Sequence, residues 1–132
     1  QVMKPATILI VAGVFALGAA QAATVDERLA DYQRQGAKSF SAQAGETLWN
    51  KEFTAAGGKP RSCATCHGRN LGEPGRHAET GKAIEPMRPA VNAKRLTDAR
   101  HIEKWFLRNC KWTYGRECTP QEKGDFLMFI KQ

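Results

Sequence analysis

The sequence has 132 residues, 20 Lys and Arg against 13 Asp and Glu, and a formal charge of +7. That length holds one domain and excludes a large α/β enzyme carrying its own nucleotide-binding sheet. Charged residues at 25% and an ordinary apolar share exclude a disordered or collagen-like chain.

Lys4, the apolar run Ile8 to Leu17 and the small-x-small exit Ala20-Gln21-Ala22 read as a secretory signal peptide over residues 1–22. An uncleaved anchor is the rival reading. It needs about 20 apolar residues, and Gln21 and Thr24 interrupt the run. Either way residues 23–132 leave the cytoplasm, for a periplasmic location in which cysteines pair. Because Lys4 is the only charge before Asp26, the remainder keeps +6 over about 110 residues, enough for one modest core. A domain of that size often needs a disulfide, a metal or a cofactor as a staple.

After the leader the periodicity is helical, without strand alternation. Thr24-Val25-Asp26-Glu27 is a capping box, and Val25, Leu29 and Tyr32 predict a short amphipathic helix that Gly36 ends. A second helix is predicted from Ser41 to Phe53, burying Ala44, Leu48, Trp49 and Phe53. Residues 55–62 and 68–92 are rich in Gly and Pro and predict loop. Thr97 opens a third helix reaching about Asn109. Thr119-Pro120-Gln121-Glu122 then joins a capping box to Pro at the first helical position, starting a last helix that carries Phe126, Leu127, Phe129 and Ile130. The fold class is therefore all-α, with one long irregular loop in its middle. Such a loop in a compact domain is usually wrapped around something.

Cys63-Ala64-Thr65-Cys66-His67 is C-x-x-C-H, the attachment signature of c-type haem. Two thiols three residues apart reach the two vinyl groups on one porphyrin edge, and the next residue sets an imidazole under the iron. One motif implies one haem. A thioredoxin-like redox pair would want a βαβ context. A zinc site would recruit Cys110 and Cys118, whose spacing is wider than zinc ligation favours.

Four side chains are candidates for the other face of the iron: Asn109, Met87, His77 and His101. Ile102, Trp105, Phe106 and Asn109 follow i, i+3, i+4, i+7, which puts the amide on an apolar face where it needs a partner. Asn109 reads equally as the helix C-cap, since Asn tolerates the left-handed conformation. Met87 lies in the stiff Glu85-Pro86-Met87-Arg88-Pro89 segment, as a thioether ligand or as adaptable filler at a haem edge. His101 falls beside the apolar face and His77 sits in a Gly-rich loop, so both read as solvated.

These residues resemble the class I cytochromes c. Ala44-Gly45-Glu46-Thr47-Leu48-Trp49 looks like the helix preceding their haem motif, and the Phe126 to Ile130 helix like the C-terminal helix that crosses it. More narrowly, Arg108-Asn109-Cys110 through Cys118-Thr119-Pro120 resembles the subfamily called sphaeroides haem protein, as do Thr80-Gly81-Lys82 and Leu96 to Arg100. The resemblance implies Asn109 as a weak distal ligand, displaced when the iron is reduced or binds a diatomic gas. It also implies a Cys110–Cys118 disulfide, with free thiols as the alternative. The implied function is a periplasmic electron carrier with haem c that binds O₂, NO or CO when reduced. Its electrons would come from a redox partner such as a dihaem c-type or membrane b-type cytochrome.

An ordinary electron-transfer cytochrome with His67/Met87 ligation is the alternative, and a small peroxidase or NO-detoxifying enzyme a second one. Peroxide cleavage wants a distal acid or base, and neither histidine is well placed to serve. Arg100, Lys104, Arg108 and Lys111 form a basic stripe, read as a solvated face or as a docking surface for an acidic redox partner. Export argues against nucleic acid as the target. Trp105, Trp112 and Tyr114 are expected in the core or the haem pocket.

Overall fold

The computed structural model describes Val2, residues 13–55 and residues 57–132. Lys4 and Ile8 to Ala12, the first part of the predicted leader, lie outside the described residues. Among the described residues the elements are α1 (Gly13–Arg34), α2 (Ala42–Asn50), α3 (Cys63–His67), β1 (Gly75–Arg76), β2 (Ala83–Ile84), α4 (Ala99–Tyr114) and α5 (Pro120–Ile130). The all-α class holds. The strands form only a small antiparallel hairpin, Gly75 opposite Ile84, inside the segment read as loop.

α1 does not begin at Thr24. The helix runs in unbroken from Gly13, and the Thr24 hydroxyl donates to Ala20 O (2.9 Å) instead of capping. A capping box acts only where backbone N–H groups are orphaned, and a helix propagating from upstream leaves none at this position. Among the described residues no helix is long and apolar enough to cross a membrane.

α2 starts as predicted, with Ser41 Oγ accepting from Ala44 N, but stops at Asn50. Beyond it the chain extends so that Phe53 and Arg61 exchange backbone hydrogen bonds of 2.7 and 2.8 Å. Phe53 then packs edge-on against Tyr114, ring centroids 4.4 Å apart. The predicted core stripe of α2 is rotated as well. Gly45 and Trp49 are buried, Leu48 is half-buried and Ala44 is exposed. The reason is the crossing with α5. A Cβ on Gly45 would stand 2.1 Å from Asp125 O, so α2 lays its one side-chain-free position against the α5 backbone.

α5 is the central element. Thr119 Oγ1 accepts from Glu122 N (3.2 Å), Glu122 Oε2 accepts from Thr119 N (2.8 Å), and Pro120 fills the first turn, as predicted. Arg116 grips the Glu122 carboxylate with both terminal nitrogens, at 2.9 and 2.8 Å, and holds that carboxyl below its usual range. Phe126, Leu127, Phe129 and Ile130 are buried, with Val25, Tyr32, Trp49, Leu71, Leu96 and Ile102 around them. Glu103 ties three helices together: it accepts from the Tyr32 hydroxyl and pairs with Lys123 (2.7 Å) and Arg28 (3.7 Å).

α4 outruns its prediction. Asp98, not Thr97, is the N-cap, accepting from Arg100 N and His101 N, and the helix ends only at Gly115, in the left-handed region at φ +71°. No breaker stands between Asn109 and Gly115, so the helix continues to the first residue that can cap it.

Candidate haem site

α3 is a single turn built to present the C-x-x-C-H motif. Ser62 Oγ accepts from Thr65 N (3.1 Å) and Thr65 Oγ1 accepts from Ser62 N (2.9 Å), a capping box that starts the turn at Cys63. Cys63 and Cys66, three apart, share a helix face, and His67 follows at once. Ser62-x-x-Thr65 was the signal for this turn in the sequence, with Thr in place of the usual Glu or Gln at the fourth position.

The two thiols are free and half-buried. Cys63 Sγ lies 3.5 Å from the Tyr114 hydroxyl, and Cys66 Sγ accepts from Ala78 N at 3.4 Å. Burial pushes the Cys63 thiol up to about 11. A thioredoxin-type nucleophile has its pKa lowered, so the environment argues against a redox dithiol. Cys110 and Cys118, the other pair a zinc site would recruit, are bonded to each other instead.

His67 is set from both sides. Its ring packs 5.4 Å from that of Trp49, whose indole N–H donates to Gly68 O (2.9 Å) and pins the residue after the motif. On the other side Gly75 lets the β1 backbone touch the motif: a Cβ there would lie 2.3 Å from Cys66 O and 2.9 Å from His67 Cα. Burial first, and then the Arg95 charge, push the imidazole down to about 4. His67 is therefore neutral at ordinary pH, the state in which imidazole ligates iron. Its Nδ1 is buried with no hydrogen-bond partner. Two half-buried thiols on one face of a single turn, followed at once by a neutral imidazole, fit haem c. Cys63 and Cys66 would hold it by thioethers and His67 would be the proximal ligand.

The distal candidates separate. Asn109 is half-buried in the body of α4, and the C-cap reading fails because Gly115 caps the helix. Its neighbour Cys110 is bonded to Cys118, Cα atoms 5.6 Å apart, fastening the last turn of α4 to the start of α5. Met87 is half-buried and packs on the core, with its N–H donating to Leu71 O (3.0 Å). His77 is not simply solvated: Nδ1 accepts from Glu79 N and Thr80 N, both 3.2 Å, and its ring lies 6.3 Å from Trp112. That nitrogen organises the hairpin turn. His101 is exposed, as read.

Trp112 and Tyr114 are half-buried, the former stacked under the Arg61 guanidinium at 4.1 Å, whereas Trp105 is 40% exposed and lies outside the protein core. Arg100, Lys104, Arg108 and Lys111 are all exposed, Leu107 among them is 43% exposed, and no carboxylate pairs with them among the described residues.

Fold and motif together define a small all-α c-type cytochrome. Residues 35–130 match the family described as Domain of unknown function (DUF1924), and the chain belongs to that family. It is 39% identical over 104 residues to cytochrome c-type protein SHP of Cereibacter sphaeroides, covering 77% of this chain and 78% of that one. It is also 37% identical over 86 residues to cytochrome c'' of Methylophilus methylotrophus, 65% of this chain and 60% of that one. The structure of oxidised SHP, described as an oxygen-binding cytochrome c, superposes with a TM-score of 0.74 at 38% identity, over 81% of this chain and 95% of that one. Oxidised cytochrome c'' gives 0.73 at 30% identity, over 82% and 93%. The homology carries covalently bound haem c to this chain.

Proposed function

We propose that the protein is a periplasmic electron carrier with one haem c, whose weak distal ligand Asn109 leaves on reduction and opens the iron to O₂, NO or CO. One observation carries the reading. Asn109 sits in the interior of a helix that Gly115 caps, so the amide has no capping duty, and the Cys110–Cys118 bond limits its travel. A neutral amide is a weak iron ligand, and a weakly held sixth position admits small molecules. SHP, described as oxygen-binding, is the relative that supports the gas-binding part.

Met87 is the second reading, favoured by its half-buried place against the core; a thioether on iron would make an ordinary carrier. Catalytic turnover finds little support. His101 is exposed and His77 spends Nδ1 on its own turn, so neither histidine is set to serve as a distal base or acid.

The test starts from the exported protein. Its intact mass is expected to equal residues 23–132 plus one haem; a retained leader would remove the proposed processing. The ferrous visible spectrum is expected to be high-spin and to change promptly with CO, and Asn109→Ala should alter the ferric spectrum. A low-spin ferrous form indifferent to CO, with Asn109→Ala unchanged and Met87→Ala altered, would transfer the distal role to Met87.

The donor we propose is an acidic redox protein, such as a dihaem c-type or membrane b-type cytochrome, meeting the exposed cations of α4 around Leu107. Opposed charge speeds encounter and is screened by salt. Reduction by a small acidic one-electron protein such as flavodoxin should slow at least about tenfold in Lys104→Glu/Lys111→Glu, on the scale that electrostatic steering supplies. The same swap at Lys59 and Lys82 should matter much less. Equal slowing by both pairs would show that only net charge counts.

A further inference from the structure

The end of α4 and the start of α3 meet at one side chain. Arg61 directly precedes Ser62, the cap of the turn that carries Cys63, Cys66 and His67. Its guanidinium stacks on the Trp112 ring at 4.1 Å and donates Nη1 to Trp112 O (3.4 Å) and Nη2 to Glu79 Oε1 (3.2 Å). The backbone of Arg61 is fixed as well, its N–H and C=O both paired with Phe53. Phe53 in turn packs on Tyr114, whose hydroxyl lies 3.5 Å from Cys63 Sγ.

These contacts have a common physical reason. A helix leaves its last carbonyls without partners of its own. Gly115 N takes Lys111 O, and Arg61 takes the next carbonyl, that of Trp112. A cation there also meets the negative end of the helix dipole, and its flat face suits the indole. Arg61 is thus a cap supplied from outside the helix, by the segment that leads into the haem motif. Asn109 lies three residues before Trp112, and side chains three apart are neighbours on a helix face. The arginine therefore grips α4 within one turn of the amide. The Cys110–Cys118 bond fastens the same stretch to α5, whereas Arg61 fastens it to α3.

We propose that Arg61 is a positioning residue for the distal ligand, holding the Asn109 amide in place by tying the end of α4 to the start of α3. The proposal rests on the reading of Asn109 as that ligand. With the tie cut, the last turn of α4 loosens and the amide leaves ferric iron more readily. An added ligand then has less to displace, and its apparent affinity rises.

The experiment is a cyanide titration of the purified ferric holoprotein, followed by its visible spectrum, in the wild type and in Asn109→Ala. Arg61→Met should raise cyanide affinity about threefold in the wild-type background, on the scale of one partly exposed cation–π contact. The high-spin signal before cyanide is added should grow with it. In Asn109→Ala no amide is left to displace, so Arg61→Met should change the affinity no further. A role in stability alone would lower the melting temperature in both backgrounds and leave cyanide affinity as it was. Lys59→Met removes a nearby exposed charge and should leave the affinity unchanged. A rise there equal to that of Arg61→Met would reduce the effect to charge and overturn the proposal. Wild-type affinity and spectrum in Arg61→Met overturn it too, as does an equal rise in both backgrounds. Should Arg61→Met fail to fold, Trp112→Leu removes the stack with the arginine in place, and an unchanged affinity there is equally fatal. A ferric spectrum indifferent to Asn109→Ala would sink the underlying reading and this proposal with it. A spectrum altered by Asn109→Ala but untouched by Arg61→Met sinks this proposal alone.

Discussion

Gly45→Ala is expected to destabilise the protein by about 3 kcal/mol or more, at the upper end of overpacking costs. The new Cβ would stand 2.1 Å from Asp125 O, 2.6 Å from Asp125 C and 3.0 Å from Phe129 Cβ. The first two are backbone atoms of α5 and have no rotamer to change. α2 and α5 would have to part, and Trp49 and Phe129, whose rings meet at 5.8 Å, would part with them. For a domain of this size that loss corresponds to a melting temperature lower by about 12 °C or more. Ala44→Ser, one residue earlier on the exposed face, should stay within about 0.5 kcal/mol. A Gly45→Ala protein melting with the wild type would mean that the helices do not cross at this point.

Removing the Cys110–Cys118 disulfide should have an effect of nearly the same size and a second, functional one. The bond closes a loop with a sequence separation of 8, for which chain entropy alone gives about 2.5 kcal/mol. Both sulfurs are buried, so Cys110→Ser/Cys118→Ser adds the cost of two buried hydroxyls. The functional effect follows from chain order, because Asn109 precedes Cys110 directly. With the clip gone the last turn of α4 keeps buried Thr113, the Phe53–Tyr114 contact and the Arg61–Trp112 stack, and an Asn109 amide serving as the proposed distal ligand would gain freedom to leave the iron. The double variant should therefore melt lower by about 2.5 kcal/mol or more, show more high-spin ferric haem, and bind CO faster in the ferrous form. A lower melting temperature with unchanged CO kinetics would make the disulfide purely structural and separate it from the distal site.

What was legible in the sequence is uneven in a physically sensible way. The last helix was readable because its signals are local and agree: cap, acidic partner and Pro all lie within four residues, from Thr119 to Glu122. The haem motif was readable for the same reason, being short and chemically specific. Thr24-Val25-Asp26-Glu27 was an equally good local signal and still misled, because its effect depends on what the preceding residues do. Ala44 was placed in the core by spacing alone. The true stripe runs through Gly45, a residue valued here for lacking a side chain, which hydrophobic patterning cannot score. Asn109 was ambiguous until the helix end was known; Gly115, the cap, was the signal the sequence reading passed over. The Trp49 indole bond to Gly68 and the Arg61 stack on Trp112 join residues far apart in sequence, where no periodicity operates. The Cys110–Cys118 bond followed from resemblance, not from spacing.

Gly75 fixes more than a contact. Because β1 lies on the backbone of Cys66 and His67, the chain between His67 and Gly75 must return to the motif it has just left, and it has no slack. The turn at Ala78 to Lys82 is exposed, yet it too is tied back, by Ala78 N to Cys66 Sγ and by Glu79 to Arg61. A side chain at Gly75 would push β1 off Cys66 and His67, so the position of the motif is set from in front of the chain as well as along it.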